Sequence, residues 1–307
     1  MIRIGSRGSQ LALWQANHIA DLLRAQGHEA TIATIATTGD RLQGVPFARV
    51  GSKGMFTKEI EEALLAGTID LAVHSLKDLP TELDAPFVIA AVTERVDPRD
   101  VFVSMNFAGM DALPAGARVG TSSLRRQSQL RARWPQLEYV EFRGNVDTRL
   151  RKLSEGQVEA AVLAAAGLDR LERTEWVRER FSADVLCPAP GQGALAIECR
   201  AADERTRAIL TTLDHAESRF AVTAERVALA ALGGGCQVPI GAYSQRDGDE
   251  YRSNVYRIRG CVSSPDGATV LRAEARGVDA DALGAALADS LLGQGALQLL
   301  AQQGAGK

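Results

Sequence analysis

The stretch Ile69-Asp70-Leu71-Ala72-Val73-His74-Ser75-Leu76-Lys77-Asp78-Leu79-Pro80 changes character at its middle. Residues 69–73 form a short apolar run suited to a buried parallel strand. The residues after them are polar, and Pro80 disfavours helix at Leu79 and ends any continuation. A polar set is therefore held in a tight turn at the carboxyl end of a strand. Working back toward the N-terminus, Ile2-Arg3-Ile4 reads as a strand. Ser9 then caps a helix that carries Leu11, Trp14, His18, Ile19, Leu22 and Leu23 on one face, closed by Gly27. Residues 31–37 alternate as a strand, and Phe56, Ile60 and Leu64 mark a helix over 56–65 that Gly67 stops. Strand and helix alternate, so the fold class is α/β: a mostly parallel sheet with helices on both faces.

A second unit of the same kind starts near Asp97-Pro98-Arg99-Asp100, with strand signals at 101–104, 118–120, 139–142 and 158–163. Pro188-Ala189-Pro190-Gly191 marks a return crossing or hinge. A long helical run after His215 reaches Leu232 and leads into Gly233-Gly234-Gly235-Cys236. Beyond it come strands at 240–244, 256–262 and 269–275 and a helix from about Asp281, the pattern of a separate small α+β domain. The chain shows no internal repeat at solenoid periods.

Two or three domains are the natural expectation for 307 residues, of which 46% are hydrophobic and 24% charged. The N-terminus lacks the apolar core of a signal peptide, and no apolar stretch approaches the roughly 20 residues needed to cross a bilayer. We therefore expect a cytoplasmic protein without membrane contact. Cys187, Cys199, Cys236 and Cys261 have neither CxxC spacing nor nearby histidines, so a metal site is not expected and the thiols are read as reduced. The net charge of −3 argues against a general nucleic-acid surface. That average hides eight arginines and one lysine against three acids over 118–152, a local balance of +6. The partner of this stretch is an anion.

Thr121-Ser122-Ser123-Leu124-Arg125-Arg126 follows a strand and opens a helix. Free N–H groups, hydroxyls and the positive end of the helix dipole converge there, where two guanidiniums leave the chain. Arg143-Gly144-Asn145-Val146-Asp147-Thr148-Arg149 repeats the arrangement after the next strand. Such strand ends are where open α/β sheets bind ligands, and a guanidinium fork matches carboxylate or phosphate equally well. Arg131, Arg133 and Arg151 read as a solvated helix face. In the opening stretch, a carboxylate at Asp78 beside Lys77 can stabilise positive charge or shuttle protons, or can simply cap the turn. The glycines before Cys236 let a bulky group approach closely. A catalytic thiolate normally needs a neighbouring base, and none lies nearby in sequence, so Cys236 suits one permanent covalent bond better than turnover. Gly51-Ser52-Lys53-Gly54 resembles a phosphate loop without its spacing. Pro190-Gly191-Gln192-Gly193 is a hinge or a ligand-contacting turn.

Taken in order, these segments resemble the porphobilinogen deaminases. The matching residues are Arg7 with Leu11-Ala12-Leu13-Trp14-Gln15, Val50-Gly51-Ser52-Lys53-Gly54, His74-Ser75-Leu76-Lys77-Asp78, Gly120-Thr121-Ser122-Ser123-Leu124-Arg125-Arg126, Arg143-Gly144-Asn145, Gly191-Gln192-Gly193-Ala194 and Gly234-Gly235-Cys236-Gln237-Val238-Pro239. The resemblance implies head-to-tail condensation of four porphobilinogen molecules into hydroxymethylbilane with release of four ammonia. It implies a dipyrromethane cofactor bound by thioether to Cys236, with Asp78 as the catalytic aspartate. Arg7, Arg125, Arg126, Arg143, Arg149 and Arg170 match arginines that hold acetate and propionate groups. Lys53, Ser75, Lys77, Thr121, Ser123 and Gln192 match further cofactor or substrate contacts.

The implied fold is two periplasmic-binding-protein-like domains around a hinged cleft, 1–95 with 190–213 and 96–189, plus a cofactor-anchoring α+β domain at 214–307. The resemblance also implies a monomer. Each pyrrole brings two carboxylates, which chooses the ligand class that the arginines alone leave open. Departures are Gln10 where Pro is common in the family, Thr38 where Arg is common, and Asp147 where Gly is frequent. The rival readings are a non-catalytic polycarboxylate-binding protein and a cysteine-nucleophile hydrolase or transferase. We expect Arg126→Leu to impair cofactor assembly or substrate binding rather than folding.

Overall fold

The alternation of Ile2 and Ile4 with Arg3 becomes strand β1 (Ile2–Ser6), which places both isoleucines in the core. Ser9 then starts the helix Gln10–Ala25, its side chain accepting the N–H of Ala12, and the helix closes at Gln26. In the computed structural model, residues 1–41, 57–234, 238–248 and 254–301 are described.

One compact unit comprises Met1–Val96 and Gly193–Arg219. Its sheet adds β2 (Ala30–Thr34), β3 (Leu71–Ser75), β4 (Phe87–Val92) and β10 (Leu195–Arg200) in the order β2-β1-β3-β10-β4. β1 runs parallel to β2 and β3, and β10 runs antiparallel to both of its neighbours. Ala16, Ile19, Ala20 and Leu23 of the first helix pack with Ile4, Leu71, Val73 and Ile197 on one face. On the other face Ile60 and Leu64 of the helix Lys58–Leu65 meet Ile69, Ala72 and Phe87. Burying each such aliphatic side chain contributes about 1.5–3 kcal/mol.

The second unit comprises Asp97–Gln192 and Phe220–Lys307. β5 (Asp100–Val103), β6 (Arg118–Gly120), β7 (Glu138–Val140), β8 (Ala160–Ala164) and β9 (Val177–Arg180) form a sheet in the order β7-β6-β8-β5-β9. β6 is parallel to β7 and β8, while β5 is antiparallel to β8 and β9. The two α/β sheets therefore share one topology, each with a single reversed strand in the fourth place. β11 (Ile240–Arg246), β12 (Tyr256–Ser263) and β13 (Val270–Gly277) form an antiparallel meander. Ala224, Ala228, Leu283, Leu287 and Leu291 cover it from the helices Ala216–Ala231 and Ala280–Gly293.

The α/β class and the small α+β portion expected from the sequence are what the chain adopts. Both sheets are mostly parallel, as expected, and the one reversed strand in each, β10 or β5, follows a passage of the chain from one unit to the other rather than a local βαβ crossover. β4, β9 and β10 were not anticipated at all. The helix expected over 56–65 begins at Lys58.

Candidate functional site

β3 runs two residues further than its apolar core, to Ser75, and Leu76–Asp78 then turn as a single 3₁₀ segment. Leu79 is extended, as its position before Pro80 requires. The turn is tied on several sides. Leu76 N–H donates to the Ala194 carbonyl at 3.0 Å, and Gln15 Nε2 donates to Ser75 Oγ at 2.8 Å. On the strand just before it, His74 Nε2 lies 2.9 Å from Glu198 Oε2. Asp78 is exposed and Lys77 half-buried. A pocket at these strand ends is lined by Arg7, Gln15, Thr57, His74, Ser75 and Asp78. It offers a guanidinium, a carboxylate, an amide and hydroxyls within one concavity, a set suited to a ligand with both carboxylates and ring N–H groups. Lys53 lies outside the described residues.

In the second unit Ser123 caps the helix Leu124–Arg133 by accepting the N–H of Arg126 at 3.4 Å, and Thr121 Oγ1 accepts the N–H of Ser123 at 3.3 Å. Both arginines of this helix are buried. Arg125 Nη1 donates to Asp100 Oδ2 at 2.7 Å and to the Cys187 carbonyl at 2.6 Å. Arg126 grips Asp100 Oδ1 through Nε at 2.9 Å and Nη2 at 2.6 Å, and reaches the Val162 carbonyl at 3.1 Å. Gln192 Nε2 donates to the same Oδ1 at 3.0 Å and to the Pro98 carbonyl at 2.6 Å. Burial works to raise the Asp100 carboxyl, yet the charges of Arg125 and Arg126 outweigh it and hold the group well below the usual carboxylate range.

Arg125, Arg126 and Gln192 are thus brought together on an acid of the chain itself. Sequence reasoning treated Asp100 only as part of a unit boundary. No spacing rule links it to arginines 25 and 26 positions away. The expectation that Arg126→Leu would spare folding does not survive this geometry, because the substitution removes a buried charge from a buried carboxylate.

The remaining arginines are placed separately. Arg143 is half-buried, with Nε on the Glu141 carboxylate. Asn145 caps the helix Val146–Ser154 by accepting the N–H of Thr148 at 2.9 Å. Asp147, the departure inside this motif, sits in the first turn of that helix, where its charge complements the dipole. Arg149 is half-buried one turn from the cap. Arg170 is buried at the end of the helix Ala165–Arg170, and burial lowers its guanidinium to about 10, so it stays cationic at neutral pH. Cys236 lies outside the described residues. Among the described residues no cluster of three metal-ligating side chains occurs, and no helix is long and apolar enough to cross a membrane.

A family model described as "Porphobilinogen deaminase, dipyromethane cofactor binding domain" matches residues 2–208, and one described as "Porphobilinogen deaminase, C-terminal domain" matches residues 219–293. The chain belongs to the porphobilinogen deaminase family. It is accordingly a transferase of tetrapyrrole biosynthesis, which joins four porphobilinogen units into hydroxymethylbilane on a dipyrromethane cofactor and releases ammonia. Among solved structures it is similar to the methionine-binding protein MetQ, at 13% identity and TM-score 0.46, covering 76% of this chain and 94% of that one. It is similar to an ABC-transporter periplasmic substrate-binding protein from Coxiella burnetii, at 14% identity and TM-score 0.44 over 74% and 97% of the two chains. A nutrient-binding protein from Burkholderia cenocepacia bound to methionine gives 15% identity and TM-score 0.43 over 68% and 88%.

Proposed function

We propose that Asp78 is the catalytic carboxylate of this deaminase and Cys236 the tether of its cofactor. The observation that carries the reading is the pocket in which the Asp78 turn meets Arg7 and Ser75 at the strand ends. Each condensation forms a carbon–carbon bond between the aminomethyl carbon of incoming porphobilinogen and the free α-carbon of the growing chain. The carbon–nitrogen bond breaks, the nitrogen leaves as ammonia, and the α-carbon loses a proton. Positive charge develops on the pyrrole as the amine departs. A fixed carboxylate near the ring N–H offsets that charge, whereas a neutral amide there does so poorly.

Dipyrromethane brings four carboxylates, so its holder must supply several cations. The second unit fits that need by itself, because Arg170 stays cationic while buried and Arg143 and Arg149 are further cations; the first unit carries Arg7 and Lys77. When bound, the cofactor supplies the primer to which substrate units are joined. Asp100 neutralises one of the two charges of Arg125 and Arg126, which leaves one unit of positive charge there for a ligand carboxylate. Lys53, Ser75, Thr121, Ser123 and Gln192 would complete the polar contacts. The working form is read as a cytoplasmic monomer acting on a small molecule, with sedimentation as the check on its assembly.

The test is intact-protein mass together with turnover. The protein from cofactor-competent expression should exceed its sequence mass by two linked pyrrole units and colour with Ehrlich's aldehyde reagent. Cys236→Ala should lose both signals. Asp78→Asn should keep the added mass and lose turnover by about 100-fold or more. An unmodified wild-type mass removes the tether, and near-normal turnover in Asp78→Asn removes the catalytic assignment.

A further inference from the structure

We infer that His74 and Glu198 form a positioning pair for the Asp78 turn, an inference that rests on the role proposed above for Asp78. The two side chains meet at 2.9 Å between Nε2 and Oε2, with 7% and 0% of their side-chain surfaces exposed. β10 runs antiparallel to β3, with Glu198 opposite Ala72 and Ala196 opposite His74. The bond therefore runs diagonally along the sheet, from the middle of β10 toward the end of β3 from which the turn departs.

Much of the layer around them is apolar. Ala72, the cross-strand neighbour of Glu198, belongs to the cluster of Ile60, Leu64, Ile69 and Phe87. Burial, with the nearby Glu198 and Asp84 carboxylates, raises the carboxyl of Glu61 on the same helix as Ile60. Among the described residues, the second carboxyl oxygen of Glu198, Oε1, is buried without a hydrogen-bond partner.

Stability does not account for this arrangement. A buried carboxyl with one unsatisfied oxygen is costly, and buried polar pairs are commonly replaceable by apolar residues of similar volume without loss. A layer already built of Ile, Leu and Phe would accept such a replacement. What the pair does supply is a directional tie. Because side chains alternate along a strand, His74 is held from one sheet face and Ser75, through Gln15, from the other. Leu76 is held along the main chain by Ala194. Three successive residues are fixed in three directions immediately before Lys77 and Asp78. Displacing a reacting group by about 1 Å can cost about 100-fold in rate.

The test uses the full-length protein carrying its cofactor. His74→Phe combined with Glu198→Leu removes both polar partners and fills the layer with apolar atoms. We expect this double variant to melt no lower than wild type, to keep its added mass and to hold KM within about threefold, while kcat falls by about tenfold or more. Glu198→Gln, which can still accept from the imidazole, should return kcat to within about threefold of wild type. A stable, cofactor-loaded double variant with wild-type kcat overturns the inference. So does a variant whose melting temperature drops while kcat per folded molecule is unchanged, because that is a structural role. If the double variant does not fold, His74→Gln decides: its shorter reach should lower kcat severalfold at constant KM, and an unchanged kcat overturns the idea. Asp78→Asn is measured alongside. Turnover surviving in Asp78→Asn defeats the underlying assignment, whereas an inactive Asp78→Asn beside a fully active double variant defeats only the positioning pair.

Discussion

Asp100 carries more of the second unit's charge organisation than any residue that the arginine motifs themselves contain. It is buried, opens β5, and receives Arg125, Arg126 and Gln192 on its two oxygens. Asp100→Asn would leave two buried guanidiniums facing a neutral amide, and we expect a loss of about 3–5 kcal/mol at neutral pH, measured by urea denaturation. The pH dependence has a definite sign. The folded-state carboxyl lies below its ordinary 3.8, so the unfolded chain binds the proton first on acidification. The contribution of Asp100 is then complete above about pH 5 and declines as pH falls through 4 and below. The stability gap between wild type and Asp100→Asn should therefore narrow on acidification; a gap that is constant from pH 7 to pH 3 would show that the carboxyl charge is not what holds the arginines. At this scale the sequence made the arginines and the Asp78 turn legible, because each belongs to a short local motif. Their partners were not legible. Asp100 to Arg125 and Glu198 to His74 are pairings across 25 and 124 positions, which only the sheet order creates.

At the scale of elements, caps and stops were readable because they are chemical rather than topological. Ser9 and Gly27 bracket the first helix, and Pro80 forces the extended residue that ends the turn. The unread strands fail for distinct reasons. β9, Val177-Arg178-Glu179-Arg180, is an edge strand whose charged residues break the apolar signal. β10 carries a buried glutamate in a run enclosed from Leu195 to Cys199, contrary to what hydrophobic patterning expects of such a strand. Ser123, which the family resemblance makes a ligand contact, caps its helix by accepting the N–H of Arg126. Ser123→Ala should then cost about 1 kcal/mol, and Ser123→Asn should restore most of it. Thermal denaturation of the two variants checks this, and equal stability of Ser123→Ala and wild type would remove the cap from the account of this helix.

At the scale of the molecule, two α/β sheets with one shared strand order arise from segments without a detectable sequence repeat. The common feature is topological: in each sheet the reversed strand is supplied after the chain has left for the other unit and returned, or has just arrived. The C-terminal meander adds a separate constraint within the second unit, because the hairpin between β12 and β13 lies on the helix that carries Arg125 and Arg126. Arg131 Nη1 donates to the Pro265 carbonyl at 3.0 Å. A Cβ on Gly267 would come 2.7 Å from Ala132 N and 2.8 Å from Ser128 O, both main-chain atoms that cannot turn aside. Gly267 also has a positive φ of 76°, so substitution carries a backbone cost that must be separated from the clash. Gly116 provides the control, with φ 79° and, among the described residues, nothing within 4 Å of its would-be Cβ. Gly116→Ala should cost about 1–2 kcal/mol from the left-handed backbone alone. Gly267→Ala should cost a further 1–3 kcal/mol, roughly, as the hairpin is wedged from the helix. Urea denaturation gives the difference, and amide hydrogen exchange over Leu124–Arg133 should rise only in Gly267→Ala. Equal costs with unchanged exchange would mean that the meander does not brace the arginine helix, and the placement of Arg125 and Arg126 would then rest on Asp100, the Cys187 and Val162 carbonyls and the Ser123 cap.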